Sequence, residues 1–411
     1  MNRKYFTPHQ TLFLFLLVSV QVLLLGGCTS LKRAITPSRS IYSHPGYREV
    51  VLPYDHGAHP NYKTEWWYWN GHLTAQDGSQ YGFQFAFFHL RSLGTWLKGF
   101  PVWWLFPSHV SAGQLVVVNK QTGRIAITKR QPVWQWTGTR ADKNRMYIKI
   151  CDWLATGEQD SKGNFIMHLK APSRHCSLDL ELIPLKPAVL HGDKGFLAQG
   201  PHFVPSHYIS FTRLLAKGSL NLEKKTMEVT GQAWHDHEYM SGAPSAQFAG
   251  WDWFSIQFDD DNSVTNMNEA NGTEGIHPLR GAEVMLSLIR SLEEEILEGS
   301  KGTFVPKNGH PETLTWKEDF FVEAGTEARW KSPATGTVYP LGWRINFPLR
   351  KWVIEVSPVS PAQEVSLKFP DLDYWEGACT VAARTPDGII KGFAYVEMSG
   401  YCKSIRDRFH P

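Results

Sequence analysis

Alternation of apolar and polar residues dominates the chain after residue 60. In its clearest instance, the aromatic runs Thr64–Thr74 and Gln80–Arg91 flank a turn that contains Asp77-Gly78. Two alternating runs around an Asp-Gly turn are a strong signal of a β-hairpin. Short runs of the same kind recur up to residue 399, separated by turns that contain Gly, Pro or Asp. The pattern predicts an all-β protein built as a barrel or a sandwich.

One segment in the second half of the chain has a different spacing. Its apolar residues recur at intervals typical of a helix, at Val284, Leu288, Leu292 and Ile296. By periodicity alone, this spacing predicts a helix over Val284–Leu297. The segments that follow, from Thr313 to Ser399, again alternate as strands do.

The stretch Gly231–Phe258 concentrates polar and aromatic side chains on two predicted strands around a short turn. Because successive side chains of a strand point to opposite faces, the first strand presents two different sets. One face carries His235, His237 and Tyr239, and the other carries Trp234, Asp236 and Glu238.

The second strand of this stretch carries an aspartate in an otherwise apolar row. Asp252 shares a face with Phe254 and Ile256, whereas Trp251 and Trp253 lie on the opposite face. A carboxylate in an apolar row is either paired or protonated, because burying an unpaired charge is costly. The two aspartates of the stretch are therefore candidate active-site acids.

Length and composition limit the class of protein. A chain of 411 residues exceeds what one hydrophobic core usually organises, so two domains are expected. The formal net charge of +3, without any basic run, argues against nucleic-acid binding. The 17 Trp, 23 Phe and 14 Tyr suit β-cores with large side chains or apolar ligand cavities. A hydrophobic small molecule is therefore the expected partner.

Residues 1–28 have the features of a processing signal. A basic start precedes the apolar run Thr11–Leu25, and the tetrapeptide Leu25-Gly26-Gly27-Cys28 is typical of a bacterial lipobox. In such a signal, Cys28 is lipidated and becomes the first residue of the mature protein. An ordinary signal peptide or an uncleaved anchor is the alternative. We expect an exported lipoprotein on the periplasmic face of the outer membrane, tethered by residues 29–47.

Four cysteines remain after the signal, Cys151, Cys176, Cys379 and Cys402. Export permits disulfides, and the pairs within each half, Cys151–Cys176 and Cys379–Cys402, are the natural expectation. Free buried thiols are the alternative, and none of the four has the spacing of metal ligands.

Six motifs occur in a fixed order and together resemble one known family. They are HPNYKTEWWYWNGHL, YGFQFAFFHLR, GQAWHDHEYM, GWDWFSIQF, YWEGACTV and GFAYVEMSGY. Over Tyr54 to Tyr401 the chain is thereby identified as a member of the carotenoid 1,2-hydratase-like, AttH-type family. Its members are lipocalin-like proteins, many of them described as predicted secreted hydrolases.

The resemblance implies two consecutive lipocalin-like antiparallel β-barrels. The expected domains are residues 48–242 and 243–411, with a polar insertion near 259–280 in the second. The resemblance also implies that a strand ending in arginine follows the WDWF strand, and Ala282–Arg290 matches it. We therefore expect a strand there, against the periodicity, with any helix shortened to Ser291–Leu297.

The polar residues of the central stretch suit acid-catalysed addition of water to an isolated double bond. That reaction needs a proton donor, a shelter for a carbocation and a positioned water. A carboxylic acid kept neutral in an apolar site can donate the proton, which gives this role to Asp236 or Asp252. A neutral histidine can orient and deprotonate the water, which gives that role to His237 with His235. The resemblance to the hydratases implies His237 alone, and the reaction requires no cofactor.

Aromatic and polar side chains near these residues are the expected binding groups for an apolar, isoprenoid- or lipid-like substrate. Faces of tryptophan and tyrosine stabilise a cation. The expected binding residues are Trp66, Tyr68, His72, Trp234, Tyr239, Trp251 and Trp253, with Glu65 and Glu238 in supporting positions.

Other interpretations of the same residues stay open. His235 and His237 could bind zinc, and the candidates for a third ligand are Glu238, Glu65 and His72. None of these three is well spaced, so no metal is expected. Hydrolysis by a serine nucleophile is not favoured, because the chain lacks a G-x-S-x-G motif. The two aspartates could instead be buried structural pairs, or the protein could be a non-catalytic carrier of an apolar ligand.

Overall fold

A computed structural model describes residues 48–91, 109–131, 138–161, 163–201, 203–242, 245–260, 277–367 and 372–402. It also describes three short strands, β1 (Ile35–Pro37), β4 (Thr95–Leu97) and β5 (Phe100–Pro101), which form a small sheet in the order β1-β4-β5. The expected signal peptide with Cys28 lies outside the described residues, as do nearly all of the expected tether and most of the expected insertion near 259–280.

A first antiparallel sheet of thirteen strands spans residues 64–240. Its strands are β2 (Thr64–Ala75), β3 (Gln80–Arg91), β6 (His109–Asn119), β7 (Ile125–Arg130), β8 (Thr139–Ala141), β9 (Tyr147–Ile150), β10 (Trp153–Gln159), β11 (Phe165–Ala171), β12 (Cys176–Pro184), β13 (Val189–Leu190), β14 (Phe196–Leu197), β15 (Ser206–Leu222) and β16 (Lys225–Met240). They are ordered β7-β6-β3-β2-β16-β15-β12-β11-β10-β9-β8, and the short β13 and β14 pair with β15.

A second antiparallel sheet of ten strands spans residues 248–399. Its strands are β17 (Phe248–Phe258), β18 (Glu283–Ser291), β19 (Lys301–Val305), β20 (Glu312–Thr315), β21 (Phe321–Lys331), β22 (Val338–Phe347), β23 (Trp352–Pro358), β24 (Glu364–Leu367), β25 (Leu372–Thr385) and β26 (Gly388–Ser399). They are ordered β20-β19-β18-β17-β26-β25-β23-β22-β21, and β24 pairs with β25.

The alternation of large apolar side chains explains why each sheet curls around its own core. Trp67, Trp69 and Phe85 are fully buried in the core of the first sheet, and Phe254 and Trp343 in that of the second. Each sheet is an antiparallel half-barrel. The expectation of an all-β fold with two lipocalin-like barrels is confirmed.

The helical content of the described ranges is small. It consists of two short 3-10 helices, Tyr54–His56 and Pro348–Arg350. No helix within those ranges is long and apolar enough to cross a bilayer.

The segment for which periodicity predicts a helix and the family resemblance implies a strand forms strand β18. The expectation of a strand at Ala282–Arg290 is confirmed, and the helix predicted over Val284–Leu297 is wrong. β18 lies between two other strands and is buried on both faces. Such a strand has a nearly continuous apolar sequence, which also satisfies a helical spacing. The described residues after it form a turn that pairs back on the strand, so Ser291–Leu297 contains no helix.

The cysteines do not form the expected disulfides. Cys176 and Cys402 are free thiols, so neither Cys151–Cys176 nor Cys379–Cys402 is formed. Cys176 begins β12 and is fully buried in the core of the first sheet, where burial raises its pKa to about 12. A thiol that keeps its proton so strongly is a poor nucleophile.

A buried ion cluster joins the two sheets. Glu283 of β18 pairs with Arg213 of β15, and Lys186 Nζ lies 2.7 Å from Glu283 Oε2. Arg213 also donates to the backbone oxygen of Phe258 at 2.8 Å. The three charged side chains are at most 7% exposed. Because removal of one partner leaves a buried charge uncompensated, this cluster fixes how the sheets face each other.

Replacing Glu283 with glutamine should therefore destabilise the protein. Arg213 and Lys186 would lose their counter-charge, and the free energy of unfolding should fall by about 3–5 kcal/mol in denaturant titrations. The matched control is Glu323→Gln, which removes a partner of the solvent-exposed Arg344 and should leave stability nearly unchanged. An equally small effect of both substitutions would contradict the role given to the cluster.

Candidate active site between the two sheets

Strand β16 divides its side chains between two environments. On one face, His237 stacks on Trp67 inside the first barrel, with ring centroids 4.7 Å apart. On the other face, Trp234 packs edge-on against Trp253 of the second sheet, at 6.2 Å. Asp236 lies on this second face. The structure therefore does not bring Asp236 and His237 into one site, as an acid and a water-activating histidine would require.

Asp236 is held by three hydrogen-bond donors in the region between the sheets. Trp234 Nε1 donates to its Oδ1 at 2.6 Å, and the Tyr208 hydroxyl donates to its Oδ2 at 2.7 Å. The Ser210 hydroxyl also donates to Oδ1, and His191 Nε2 lies 2.7 Å from Ser210 Oγ. Burial outweighs these donors and raises the pKa of Asp236 to about 7.

Three glutamates lie near Asp236 and form with it the inter-sheet acid cluster, Asp236, Glu238, Glu376 and Glu397. Glu376 of β25 and Glu397 of β26 are directly opposite each other in the second sheet. The Tyr68 hydroxyl of the first sheet donates to Glu376 Oε1 at 2.7 Å. Trp251 Nε1 donates to Glu397 Oε1 at 3.1 Å. The cluster thus draws on both sheets.

The carboxyl groups of the cluster hold their protons strongly. Burial, with a contribution from nearby acids, raises the pKa of Glu238 to about 8. Burial raises the pKa of Glu397 to about 7, and burial together with Glu397 raises that of Glu376 well above its usual range. Within the described ranges, none of the four carboxyl groups has an ion-pair partner. Near neutral pH the cluster therefore contains neutral carboxylic acids.

Aromatic side chains surround the inter-sheet acid cluster. Trp253 Nε1 donates to the Tyr208 hydroxyl at 2.9 Å, so the two rings are fixed beside Asp236. Trp66 and Trp251 pack against the group of side chains that includes Tyr208 and Trp253. Both tryptophans are partly exposed, and so is Glu397. At these three residues the group retains solvent-exposed surface.

Two other expected residues lie away from the cluster. Asp252 faces the second core, where Arg290 Nε is 3.5 Å away and the Tyr401 hydroxyl donates at 3.1 Å. His72 lies between the sheets and stacks on Phe393 at 4.7 Å. Asp252 therefore has a counter-ion, unlike the four acids of the cluster.

A second polar group lies on the other face of β16, inside the first barrel. Glu65 Oε1 is 2.8 Å from both His237 Nε2 and His59 Nδ1. His59 Nε2 lies 3.1 Å from Asp55 Oδ1, and Arg48 bonds to Asp55 at 2.7 and 2.9 Å. Burial alone would raise the pKa of Glu65, but the hydrogen bonds from the two histidines lower it to about 2. This carboxylate is therefore ionised, in contrast to the acids between the sheets.

Inside the first barrel, only some of the metal ligands considered from the sequence are neighbours. Of the three candidates for a third ligand, Glu65 alone lies beside His237. His235 Nδ1 is instead 2.9 Å from a backbone oxygen of β2. His59, rather than His235, is the second histidine beside Glu65. Tyr239 stacks on His59, with ring centroids 3.6 Å apart. Tyr239 is therefore not part of the aromatic lining between the sheets.

Three acids and one histidine of these two groups are not among the site residues expected from the sequence. Glu376 and Glu397 are acids within apolar strands, so the rule that singles out Asp252 applies to them as well. Asp55 and His59 lie in the segment before β2, where no period relates them to the strands. His59 begins the first of the six motifs, which is the signal that could have pointed to it, whereas Asp55 lies outside the motifs.

The model of the AttH-like family matches residues 44–278 and, a second time, residues 275–401. Together the two matches cover most of the chain. The chain belongs to the AttH-like family. The resemblance carried by the six sequence motifs is thereby confirmed.

Two solved structures resemble this AttH-like chain. NE1406 of Nitrosomonas europaea, an AttH candidate, has a TM-score of 0.70 at 25% identity, covering 87% of this chain and 98% of its own. Kievitone hydratase from Nectria haematococca has a TM-score of 0.61 at 12% identity, covering 89% of this chain and 98% of its own. At that identity the second likeness shows the fold alone. No curated protein matches the sequence.

The raised pKa values of the cluster predict how stability changes with pH. Folded Glu238 keeps its proton up to about pH 8, whereas in the unfolded chain it ionises near its ordinary pKa. Over that interval the folded state binds more protons, so the free energy of unfolding falls as pH rises. Buried histidines with a lowered pKa, such as His235 and His237, act in the opposite direction only below about pH 6.5. His59 is buried, but its carboxylate partners raise its pKa, so it acts in the same direction as the acids. The acids therefore dominate above neutrality.

Between about pH 7 and about pH 8, we expect the free energy of unfolding to fall by about 1.4 kcal/mol per pH unit for each acid still protonated. Denaturant titrations across this range should show a smaller slope for Glu238→Gln. Glu228→Gln, an exposed position on the same strand, should keep the slope of the wild type. A stability that rises with pH in this range would overturn the assignment of neutral acids.

Proposed function

We propose that this protein is an acid-catalysed hydratase that adds water to a carbon–carbon double bond of an apolar, isoprenoid- or lipid-like molecule. The observation that carries the proposal is the inter-sheet acid cluster. Three of its carboxyl groups are buried and one is partly exposed, they lie beside tryptophans, and no described residue is their counter-ion. Hydrolysis of a similar substrate would use the same acids as proton donors.

Glu397 is the proposed proton donor. It is partly exposed, and its pKa of about 7 lies near the working pH, where a general acid is most effective. Transfer of its proton forms a C–H bond at one alkene carbon, with a cation at the other and a carboxylate on Glu397. Trp251 Nε1 and the Ser399 hydroxyl, at 3.1 and 2.7 Å, stabilise that carboxylate.

The reaction also needs groups that stabilise the cation and a group that accepts a proton from the water. Trp66, Trp251 and Trp253 offer aromatic faces to the cation. A water then forms the C–O bond and releases a proton to the ionised form of Asp236, which is populated because its pKa is about 7 and whose carboxylate is held by three donors. Return of that proton to Glu397 closes the cycle, so one double bond and one water become one alcohol.

The fold is compatible with this activity, because kievitone hydratase shares it. A second candidate function is non-catalytic carriage of an apolar ligand between the sheets. The observation that favours it is that three donors of the protein itself satisfy Asp236. Turnover separates the two functions, since both require binding.

The proposed location follows from the sequence of residues 1–47. Lipidation of Cys28 after export would hold the protein at the periplasmic face of the outer membrane. Apolar substrates partition into such a surface, so the anchor would bring the protein to them.

Glu397→Gln keeps the size of the side chain and removes the transferable proton. We expect turnover to fall by about 10²–10⁴-fold, with ligand binding retained. The assay uses an acyclic carotenoid in detergent with oxygen-labelled water, and mass spectrometry detects the label in the product. Asp236→Asn should act in the same direction.

Glu228→Gln is the matched control, since it removes an exposed acid from β16 and should keep full turnover. Normal turnover in both Glu397→Gln and Asp236→Asn would refute the proposed acids. A ligand that co-purifies with unchanged mass, together with no reaction across a panel of unsaturated lipids, would favour the carrier.

A further inference from the structure

We propose that His59, Glu65 and His237 bind a divalent transition-metal ion, with zinc as the first candidate, inside the first barrel. Each residue offers one ligand atom, and these atoms all lie within 4.8 Å of one another. The group lies on the opposite face of β16 from the inter-sheet acid cluster. This proposal is therefore independent of the proposed hydration.

The donor set suits zinc and similar ions. Two imidazole nitrogens and one carboxylate oxygen are ligands that zinc and non-haem iron commonly take. Glu65 Oε1 already lies 2.8 Å from both ligand nitrogens, so small shifts would let one ion contact all three. Three protein ligands leave a coordination position open, as in zinc sites that bind a water or a substrate.

The surroundings orient these ligands as metal sites require. The backbone amide of His59 donates to both Glu65 oxygens, at 2.9 Å to Oε2 and 3.1 Å to Oε1, and so fixes the carboxylate with Oε1 between the two histidines. His59 Nε2 lies 3.1 Å from Asp55 Oδ1, and Arg48 holds Asp55. A carboxylate behind a metal-binding histidine fixes the ring and makes it a better ligand.

Nitrogen atoms of three histidines lie in and around His237, among the aromatic side chains of the first core. His56 Nδ1, His235 Nε2 and His237 Nδ1 are buried and have no hydrogen-bond partner within the described ranges. Buried imidazole nitrogens normally find partners, because leaving one unpaired is costly. Water bound to an ion at the triad would give these nitrogens the partners that the described residues do not supply.

Metal binding is measured on the full-length protein without an affinity tag, after treatment with a chelator and dialysis. Zinc(II) is titrated calorimetrically, and cobalt(II) reports the coordination by its visible absorption. We expect one ion per chain, with the affinity reduced by at least about 100-fold in Glu65→Gln and His237→Gln. Asp55→Asn, behind His59, should reduce it by about 10–100-fold.

His207→Ala is the matched control. His207 stacks on Tyr239 at 4.9 Å, as His59 does at 3.6 Å, but it contributes no ligand atom to the triad. This variant should bind zinc as the wild type does, with circular dichroism verifying the fold of every variant.

Equal zinc affinity in wild type and Glu65→Gln would overturn the proposal. So would wild-type protein that binds zinc, cobalt and iron(II) no better than the His237→Gln variant. Either result would mean that the triad is a structural group of hydrogen-bonded side chains. Neither result would test the proposed proton transfer by Glu397.

Discussion

The alternation of side chains along β16 is the constraint on which both polar groups depend. Consecutive residues of a strand must point to opposite faces, so the sequence His-Asp-His-Glu cannot form one site. His237 is directed into the first barrel, where it meets the ionised Glu65. Asp236 is directed at the second sheet, where it lies near other acids and has no ion-pair partner among the described residues. One strand thus supports two chemically different environments.

The region between the sheets buries carboxyl groups in two ways. Glu283 is neutralised by Arg213 and Lys186, which fixes the arrangement of the sheets. Glu238 is neutralised by keeping its proton, which costs stability as the pH rises. An ion cluster is sufficient to hold two sheets together, so the neutral acids call for a second explanation. Groups with strongly shifted pKa values are concentrated at functional sites, and a functional role accounts for neutral acids at this position.

Local sequence patterns predict the fold well and the partners of each face poorly. The hairpin of β2 and β3 follows from its aromatic alternation and its Asp-Gly turn, and the two faces of β16 follow from period two. Periodicity fails at β18, because a strand buried on both faces lacks alternation. It also cannot show that Glu376 meets Tyr68, or that His59 reaches Glu65, since those contacts join segments far apart or irregular. Tertiary packing decides them.

The choice between an enzyme and a carrier depends on what the acids contribute. Aromatic side chains alone would bind an apolar ligand, and apolar residues would pack the sheets at least as well as buried polar ones. Neither ligand binding nor sheet packing explains why Glu376 and Glu397 are directly opposite each other. In that position, each carboxyl group disfavours the ionisation of the other. A proton that is held near neutral pH and reachable at the partly exposed Glu397 is useful for proton transfer. The arrangement therefore favours catalysis over carriage.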